Sequence, residues 1–192
     1  MGYRPITDLW LLTRCKYRGG GKRYGGYLGG FPERARALLA ATINEPVLHV
    51  CGGLARLYPY AGGFGPNDQT LDLDPAVKPD FLADCTAPLP RGFKAMLADP
   101  PYTEDDALRY PPGRERFPTP NAVLRRMLEA LEPGQRCGII CYSLPSPPKG
   151  TRFVACIGIG CGFNNRGRFF TVYERGTQAA AEAAEEASLF AQ

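Results

Sequence analysis

Four short apolar segments between residues 47 and 99 each end at a glycine or a carboxylate, and this pattern limits the folds that the chain can adopt. The segments are 47–51, which runs into a Gly-Gly pair, and 70–74, 81–84 and 93–99, which each end at an aspartate. In open α/β folds, ligands bind beyond the carboxyl ends of parallel strands, where side chains from successive strands meet. The pattern therefore predicts an α/β fold whose binding edge carries several acidic side chains.

The remaining pattern adds one helix and three more strands. Thr119 can cap a helix that Pro120 opens, and apolar residues recur at helical spacing as far as Leu131. Residues 137–142 are typical of a buried strand, and the runs 152–159 and 169–173, joined by a Gly-Asn-rich turn, predict an antiparallel pair. We therefore expect a mostly parallel seven-stranded sheet with helices on both faces and a closing C-terminal antiparallel pair.

The length of the chain predicts a single globular domain. The 192 residues are 44% hydrophobic, which is enough for one sizeable core but leaves little room for a second. We divide the chain into a basic, Gly/Tyr-rich N-terminal segment (1–45), a core domain (46–176) and an Ala/Glu-rich helical tail (177–192).

The net charge of +4 is unevenly distributed along the chain. Residues 1–36 hold eight Lys or Arg against two acidic residues, whereas the remainder holds 15 basic and 17 acidic residues. Cations interleaved with tyrosines and glycines are suited to stacking on bases and approaching phosphates. We expect a nucleic-acid partner here, with Lys22, Arg23, Tyr24 and Tyr27 as candidate substrate-binding residues; a solvated leader that orders against the core is the alternative.

The cysteines and the hydropathy pattern predict no metal, no disulfide and no membrane segment. The seven cysteines are odd in number, several lie in strand-like runs, and with one histidine in the chain no pair has the spacing of a zinc site. The first residues do not show the basic, apolar and small-residue series that is typical of a signal peptide, and no eighteen apolar residues run together. We expect a soluble, cytoplasmic protein with free thiols.

The run Asp99-Pro100-Pro101-Tyr102 has the chemistry to hold an amino group. Two consecutive prolines remove two backbone donors and fix φ, so the segment accepts hydrogen bonds and donates almost none. The two hydrogens of an amine can bond to the Asp99 carboxylate and the Pro100 carbonyl while a planar heterocycle stacks on Tyr102. We therefore interpret the run as a clamp for the exocyclic amine of a base.

This run resembles the (Asp/Asn/Ser)-Pro-Pro-(Tyr/Phe/Trp) motif of the amino-methyltransferases, which use S-adenosylmethionine to methylate exocyclic nitrogens of adenine or cytosine. The order of glycine turn, acid, acid and prolyl motif over about fifty residues is similar to the catalytic domain of class I methyltransferases, and the resemblance covers roughly residues 46–175. It implies the Rossmann-like class I methyltransferase fold, with S-adenosylmethionine as the cofactor.

The resemblance also implies roles for individual residues. The motif residues Asp99, Pro100, Pro101 and Tyr102 would be catalytic, and the residues that would bind the cofactor are the turn residues Cys51, Gly52 and Gly53, then Asp72 on the ribose with Asp74 as fallback, and Asp84 on the adenine amine with its neighbour Cys85. His49 stands where the family has an acid, and it either touches the methionine part of the cofactor or is a satisfied polar residue at the end of a strand. Gly19-Gly20-Gly21-Lys22 or Gly25-Gly26-Tyr27 would hold the methionine carboxylate and amine.

We therefore expect an S-adenosylmethionine-dependent methyltransferase that acts on an exocyclic amine of a nucleic-acid base, with N6 of adenine in DNA favoured over N4 of cytosine. A methyltransferase for ribosomal or transfer RNA and a catalytically silent, nucleic-acid-binding subunit are the alternatives. Methylation at carbon 5 of cytosine is excluded because it needs a cysteine nucleophile, usually after proline, and no Pro-Cys pair occurs. Residues 103–119 leave no room for a target-recognition domain, so a partner subunit or a second copy would supply recognition.

Overall fold

The computed structural model describes residues 4–12, 34–56, 64–108, 117–161 and 167–177. These residues form one eight-stranded mixed sheet. The strands are β1 (Ile6–Leu12), β2 (Val47–Val50), β3 (Gln69–Asp72), β4 (Phe81–Leu82), β5 (Ala95–Ala98), β6 (Arg136–Cys141), β7 (Arg152–Cys161) and β8 (Gly167–Glu174). The helices are α1 (Arg34–Leu38), α2 (Glu104–Leu108) and α3 (Pro120–Ala130), with a short 3₁₀ helix at Pro75–Val77.

The strand order is β1-β7-β8-β6-β5-β2-β3-β4. Strand β8 runs antiparallel to both of its neighbours, β6 and β7, and every other adjacent pair is parallel. From β2 the chain goes to β3 and β4 on one side and then returns to β5 on the other, so the topological switch point lies between β2 and β5. Ligands of open α/β sheets bind beyond the carboxyl ends of the strands at such a point.

The predicted strands and the helix that opens at Pro120 are confirmed to within a few residues. The helical tail predicted for 177–192 lies, apart from its first residue, outside the described residues. The β7/β8 pair is antiparallel as expected. Helix α3 begins at Pro120, and the Thr119 side chain accepts a hydrogen bond from the Ala122 amide at its N-terminus. The helix ends at Ala130, one residue before Leu131, the last of the predicted apolar positions.

The sheet has eight strands rather than the expected seven. The additional strand, β1, lies in the segment that the sequence analysis assigned to a basic leader, and it pairs in parallel with β7 along its whole length. Its sequence is largely apolar, and Trp10 is buried against the ring of Phe170 with the ring centroids 5.9 Å apart. Burial of this indole and the pairing with β7 stabilise the strand.

Helices pack on both faces of the sheet, as predicted. One face of the sheet contacts α3, through Val123, Leu124, Met127, Leu128 and Ala130, over a core that includes Leu48, Met96 and Ile139. The opposite face contacts α1 through Ala35 and the adjoining Leu39, over a core that includes Val47, Leu97 and Phe170. Strands β2 and β5 supply buried side chains to both faces, as central strands of a parallel sheet do.

A buried polar cluster fixes the amino end of β2. The Asp68 carboxylate, whose side chain is fully buried, pairs with the Arg36 guanidinium and accepts hydrogen bonds from the Val47 amide (3.0 Å) and the Gly65 amide (2.8 Å). Its Oδ2 also lies 3.0 Å from Nε2 of His49. Arg36 thereby joins α1 to the strand that leads into the glycine turn.

Within the described ranges, no helix is both long enough and apolar enough to cross a membrane.

Candidate active site

The ends of three adjacent strands bring the predicted glycine turn and two predicted acids together. Val50 at the end of β2 pairs with Leu71 of β3 on one side and Ala98 of β5 on the other. The residues that follow these three positions, Cys51, Asp72 and Asp99, are therefore neighbours at the carboxyl edge of the sheet. The Asp99 amide donates to the Val50 carbonyl over 3.3 Å, which joins the prolyl run directly to the turn.

The turn after β2 is tight and needs glycine at its centre. Cys51 and Gly53 have φ values of 54° and 49°, in the left-handed region. A Cβ on Gly52 would lie 2.8 Å from the His49 carbonyl oxygen and 3.0 Å from Cγ2 of Thr70, so no larger residue fits without displacement. The absence of a side chain at Gly52 lets the turn keep its backbone close to the sheet.

Asp72 holds the turn and retains acceptor capacity. Its Oδ2 accepts from the Gly53 amide (2.8 Å) and its Oδ1 from the Asp74 amide (3.0 Å). A carboxylate has about four acceptor sites, so two more hydrogen bonds can be made. By contrast, the fallback residue Asp74 uses its carboxylate to cap the 3₁₀ helix through the Ala76 amide, and is buried.

Asp84 lies just beyond β4, at the same edge of the sheet. Its Oδ1 accepts from both the amide and the hydroxyl of Thr86, each over 2.7 Å, which fixes the orientation of the carboxylate. The Cys85 side chain is buried in the core on the α3 face of the sheet, so only the backbone of Cys85 can face a ligand.

The prolyl run is built around Asp99 and Tyr102. Burial raises the pKa of Asp99, while the hydrogen bond from the Tyr102 hydroxyl and the charge of Arg168 act in the opposite direction. The Arg168 guanidinium lies over the Tyr102 ring, with its Cζ 4.7 Å from the ring centroid. The Tyr142 ring is tilted by 39° to the Tyr102 ring with the centroids 4.8 Å apart. Pro100, the first proline of the run, is buried.

The sequence analysis did not select Tyr142 or Arg168. Both belong to the C-terminal half of the sheet, and the register that pairs Cys141 with Phe169 brings them beside the prolyl run. No short motif contains them. Their only signal in the sequence is that Tyr142 is the last residue of one predicted strand and Arg168 directly precedes another.

The structure places His49 in the buried cluster described above. His49 is 3% exposed and contacts Asp68 through its ring, whose centroid lies 4.8 Å from that of the Phe64 ring. This is the environment of a satisfied polar residue, the second of the two roles that the sequence left open. The role in binding the cofactor stays a prediction.

The thiol near the prolyl run is not an activated nucleophile. Burial is the main reason that the pKa of Cys141 is raised to about 12, and its Sγ contacts the Ser143 carbonyl. A thiol with so high a pKa holds almost no thiolate at neutral pH.

The predicted substrate-binding residues Lys22, Arg23, Tyr24 and Tyr27, and both candidate glycine segments near them, lie outside the described residues. In the part of the chain that the structure does describe, no three His, Cys, Asp or Glu side chains form a group that could hold a metal ion. A cleft of about 760 Å³ opens at the amino ends of β3 and β4, lined in part by Arg56, Asp68 and Asp80. It lies at the opposite end of these strands from Asp72 and Asp84.

Comparison with known proteins bears on the fold. The structure is similar to TrmN from Thermus thermophilus, with a TM-score of 0.54 and 20% sequence identity over 74% of this chain and 48% of TrmN. It is also similar to yhhF, a protein of Escherichia coli that carries a methyltransferase assignment, with a TM-score of 0.52 and 13% identity over 76% of this chain and 85% of yhhF. The chain has the class I methyltransferase fold. It spans about half the length of TrmN. No protein-family model and no curated sequence matches it.

Proposed function

We propose that this protein is an S-adenosylmethionine-dependent methyltransferase that acts on the exocyclic amine of a nucleic-acid base. The observation that carries the proposal is the juxtaposition of the Asp99-Pro100-Pro101-Tyr102 run with the glycine turn at the switch point of the sheet. Such a transfer needs one group of residues that holds the amine and another that binds the cofactor. The run and the turn would supply these two groups at adjacent strand ends.

The residues at the edge fit the cofactor. Asp72 has acceptor capacity for two ribose hydroxyls, Asp84 presents a fixed carboxylate to an adenine amine, and the turn at Gly52 lets the backbone approach the amino-acid part. When bound, S-adenosylmethionine supplies a methyl group already activated by its sulfonium. The chain therefore has to hold an amine in line with that methyl group, which is a task of orientation.

Asp99 and Tyr102 would orient the amine. An aromatic amine is a poor nucleophile because its lone pair is delocalised into the ring; hydrogen bonds from its two hydrogens to the Asp99 carboxylate and the Pro100 carbonyl favour the form with a localised lone pair. Tyr102 would hold the base by stacking. A base in a duplex must first be extruded, at a cost of a few kcal/mol.

The resemblance of the prolyl run favours N6 of adenine in DNA as the substrate. An amine on an RNA base is the alternative, since the same acceptors serve both polymers. The basic segment before residue 37 would contact the phosphate backbone of either one.

The proposal is tested by separating cofactor binding from transfer. Asp72→Ala should chiefly weaken binding of S-adenosylmethionine, measured by calorimetry, whereas Asp99→Ala should leave binding nearly intact and abolish transfer of labelled methyl to duplex DNA, single-stranded DNA or RNA. Equal loss of binding and transfer in both variants would contradict this division of roles.

The same experiment identifies a silent subunit. The turn departs from the family pattern, with His49 in place of an acid and Ala55 in place of a glycine. If the wild-type protein bound nucleic acid but bound no S-adenosylmethionine and transferred no methyl group, the chain would be a nucleic-acid-binding subunit and the proposal would fail.

A further inference from the structure

Arg168 connects the two side chains on which the proposed transfer depends. It is the second residue of β8, and its Cζ lies over the Tyr102 ring, 4.7 Å from the centroid. Tyr102 in turn donates its hydroxyl hydrogen to Oδ1 of Asp99. One cation from the C-terminal pair of strands thus reaches a site whose sequence-predicted residues lie at the ends of β2, β3, β4 and β5.

The position of the guanidinium has two physical consequences. A guanidinium over an aromatic face is attracted by the ring quadrupole and resists displacement of the ring. Arg168 also interacts electrostatically with Asp99, and its charge favours the ionised carboxylate that burial disfavours. Arg168 therefore stabilises both the orientation of the Tyr102 ring and the ionised form of Asp99.

We propose that Arg168 is a positioning residue of the site, which holds the Tyr102 ring in the orientation that a stacked base needs and which provides the counter-charge for Asp99. The inference rests on the proposed function, because it names what aligns the base-binding residues of that same site.

Two substitutions separate the shape of the side chain from its charge. Arg168→Lys keeps the positive charge and loses the flat guanidinium, whereas Arg168→Gln loses both. Arg152→Gln is the matched control: Arg152 is an arginine at the opposite end of the same strand pair, where it pairs with Glu174. For each variant we would measure the thermal midpoint, kcat and KM for both substrates, and kcat/KM against pH.

Arg168→Lys should raise the KM for nucleic acid on the order of tenfold while the acid limb of the pH profile stays in place. Arg168→Gln should raise that KM as much and also move the acid limb to higher pH, because Asp99 loses the positive charge that lowers its pKa. The KM for S-adenosylmethionine should be unchanged in both. Arg152→Gln should lower the thermal midpoint at most and leave the acid limb where it is.

The inference is overturned if Arg168→Gln keeps both the KM for nucleic acid and the acid limb of an active wild-type enzyme. If Arg168→Gln does not fold, Arg168→Lys decides through binding of an oligonucleotide that carries 2-aminopurine at the target position, since stacking quenches its fluorescence. Quenching equal to that of the wild type would then overturn the inference. If the wild-type protein itself methylates no polymer, the proposed function fails and this inference fails with it.

Discussion

The Asp68 carboxylate is the residue whose loss should be most costly to the fold. The Asp68 side chain is fully buried and the Arg36 side chain is only 9% exposed, so the pair is desolvated. Asp68→Asn keeps the shape but leaves Arg36 buried without a counter-charge, and breaking a buried pair in this way costs about 3–5 kcal/mol. Arg36 retains the Thr42 and Glu45 carbonyls as acceptors, which favours the lower figure. With about 2–4 °C per kcal/mol for a chain of this size, the melting midpoint should fall by about 6–12 °C.

Thermal unfolding followed by circular dichroism measures this difference, and Asp80→Asn is the control. Asp80 also pairs with an arginine, but the Arg56 side chain is 47% exposed and that of Asp80 23%, so its loss should cost less than about 1 kcal/mol, or 4 °C. A fall for Asp68→Asn no larger than that of the control would refute the reasoning.

The pH dependence gives a second check on Asp68. Burial alone raises the pKa of Asp68, but hydrogen bonds from His49, Arg36 and the Gly65 amide outweigh it and the pKa lies below its ordinary value. The stability that the ionised group contributes is therefore present above the unfolded pKa of about 3.9 and is lost as the pH falls through the lower, folded value. The difference between the wild type and Asp68→Asn should accordingly shrink in acid. A constant difference down to the acid transition would contradict the assignment.

Three further predictions concern the edge of the sheet. Asp72→Ala should weaken binding of S-adenosylmethionine on the order of tenfold to a hundredfold by calorimetry, because hydrogen bonds to a charged acceptor are lost; unchanged affinity would remove Asp72 from the cofactor site. Gly52→Ala should lower the free energy of unfolding, measured in urea, by about 1–3 kcal/mol, since the added Cβ meets the His49 carbonyl. Gly167→Ala, with open space around its Cβ, should lower it much less. Equal losses would contradict the tight turn. Asp99→Asn should melt higher than the wild type at pH 8 and lose that advantage in acid. Because burial raises the pKa of Asp99, the wild type loses stability as the pH rises through the folded pKa and the carboxyl ionises, whereas the asparagine stays neutral. A difference in melting midpoint that does not depend on pH would be inconsistent with this.

Most of the sheet could be predicted because its signals are local. Seven strands have apolar runs that end at turn residues or acids, and α3 has both a cap at Thr119 and a proline at its first position. Strand β1 was missed because the cations and glycines that follow it dominate the composition of the segment. Only its parallel pairing with β7, which lies almost 150 residues further along the chain, shows that it belongs to the sheet.

The site could be predicted only in part, for the same reason. The glycine turn, Asp72, Asp84 and the prolyl run are short motifs at strand ends, and the register brings the turn, Asp72 and Asp99 side by side. Arg168 and Tyr142 come from strands far along the chain, and no local pattern connects an arginine at the start of a strand with Tyr102. The pairing of His49 and Arg36 with Asp68 is equally non-local, so the sequence left the role of His49 open.

The measurement that tests the central claim most directly is nucleoside mass spectrometry of DNA and RNA after incubation with the protein and labelled S-adenosylmethionine, with Asp99→Ala in parallel. The proposal predicts labelled methyl on an exocyclic amine of adenine or cytosine in one polymer, and none with Asp99→Ala. Label on a ring carbon, a ring nitrogen or the ribose, or equal label with and without the Asp99 carboxylate, would contradict it.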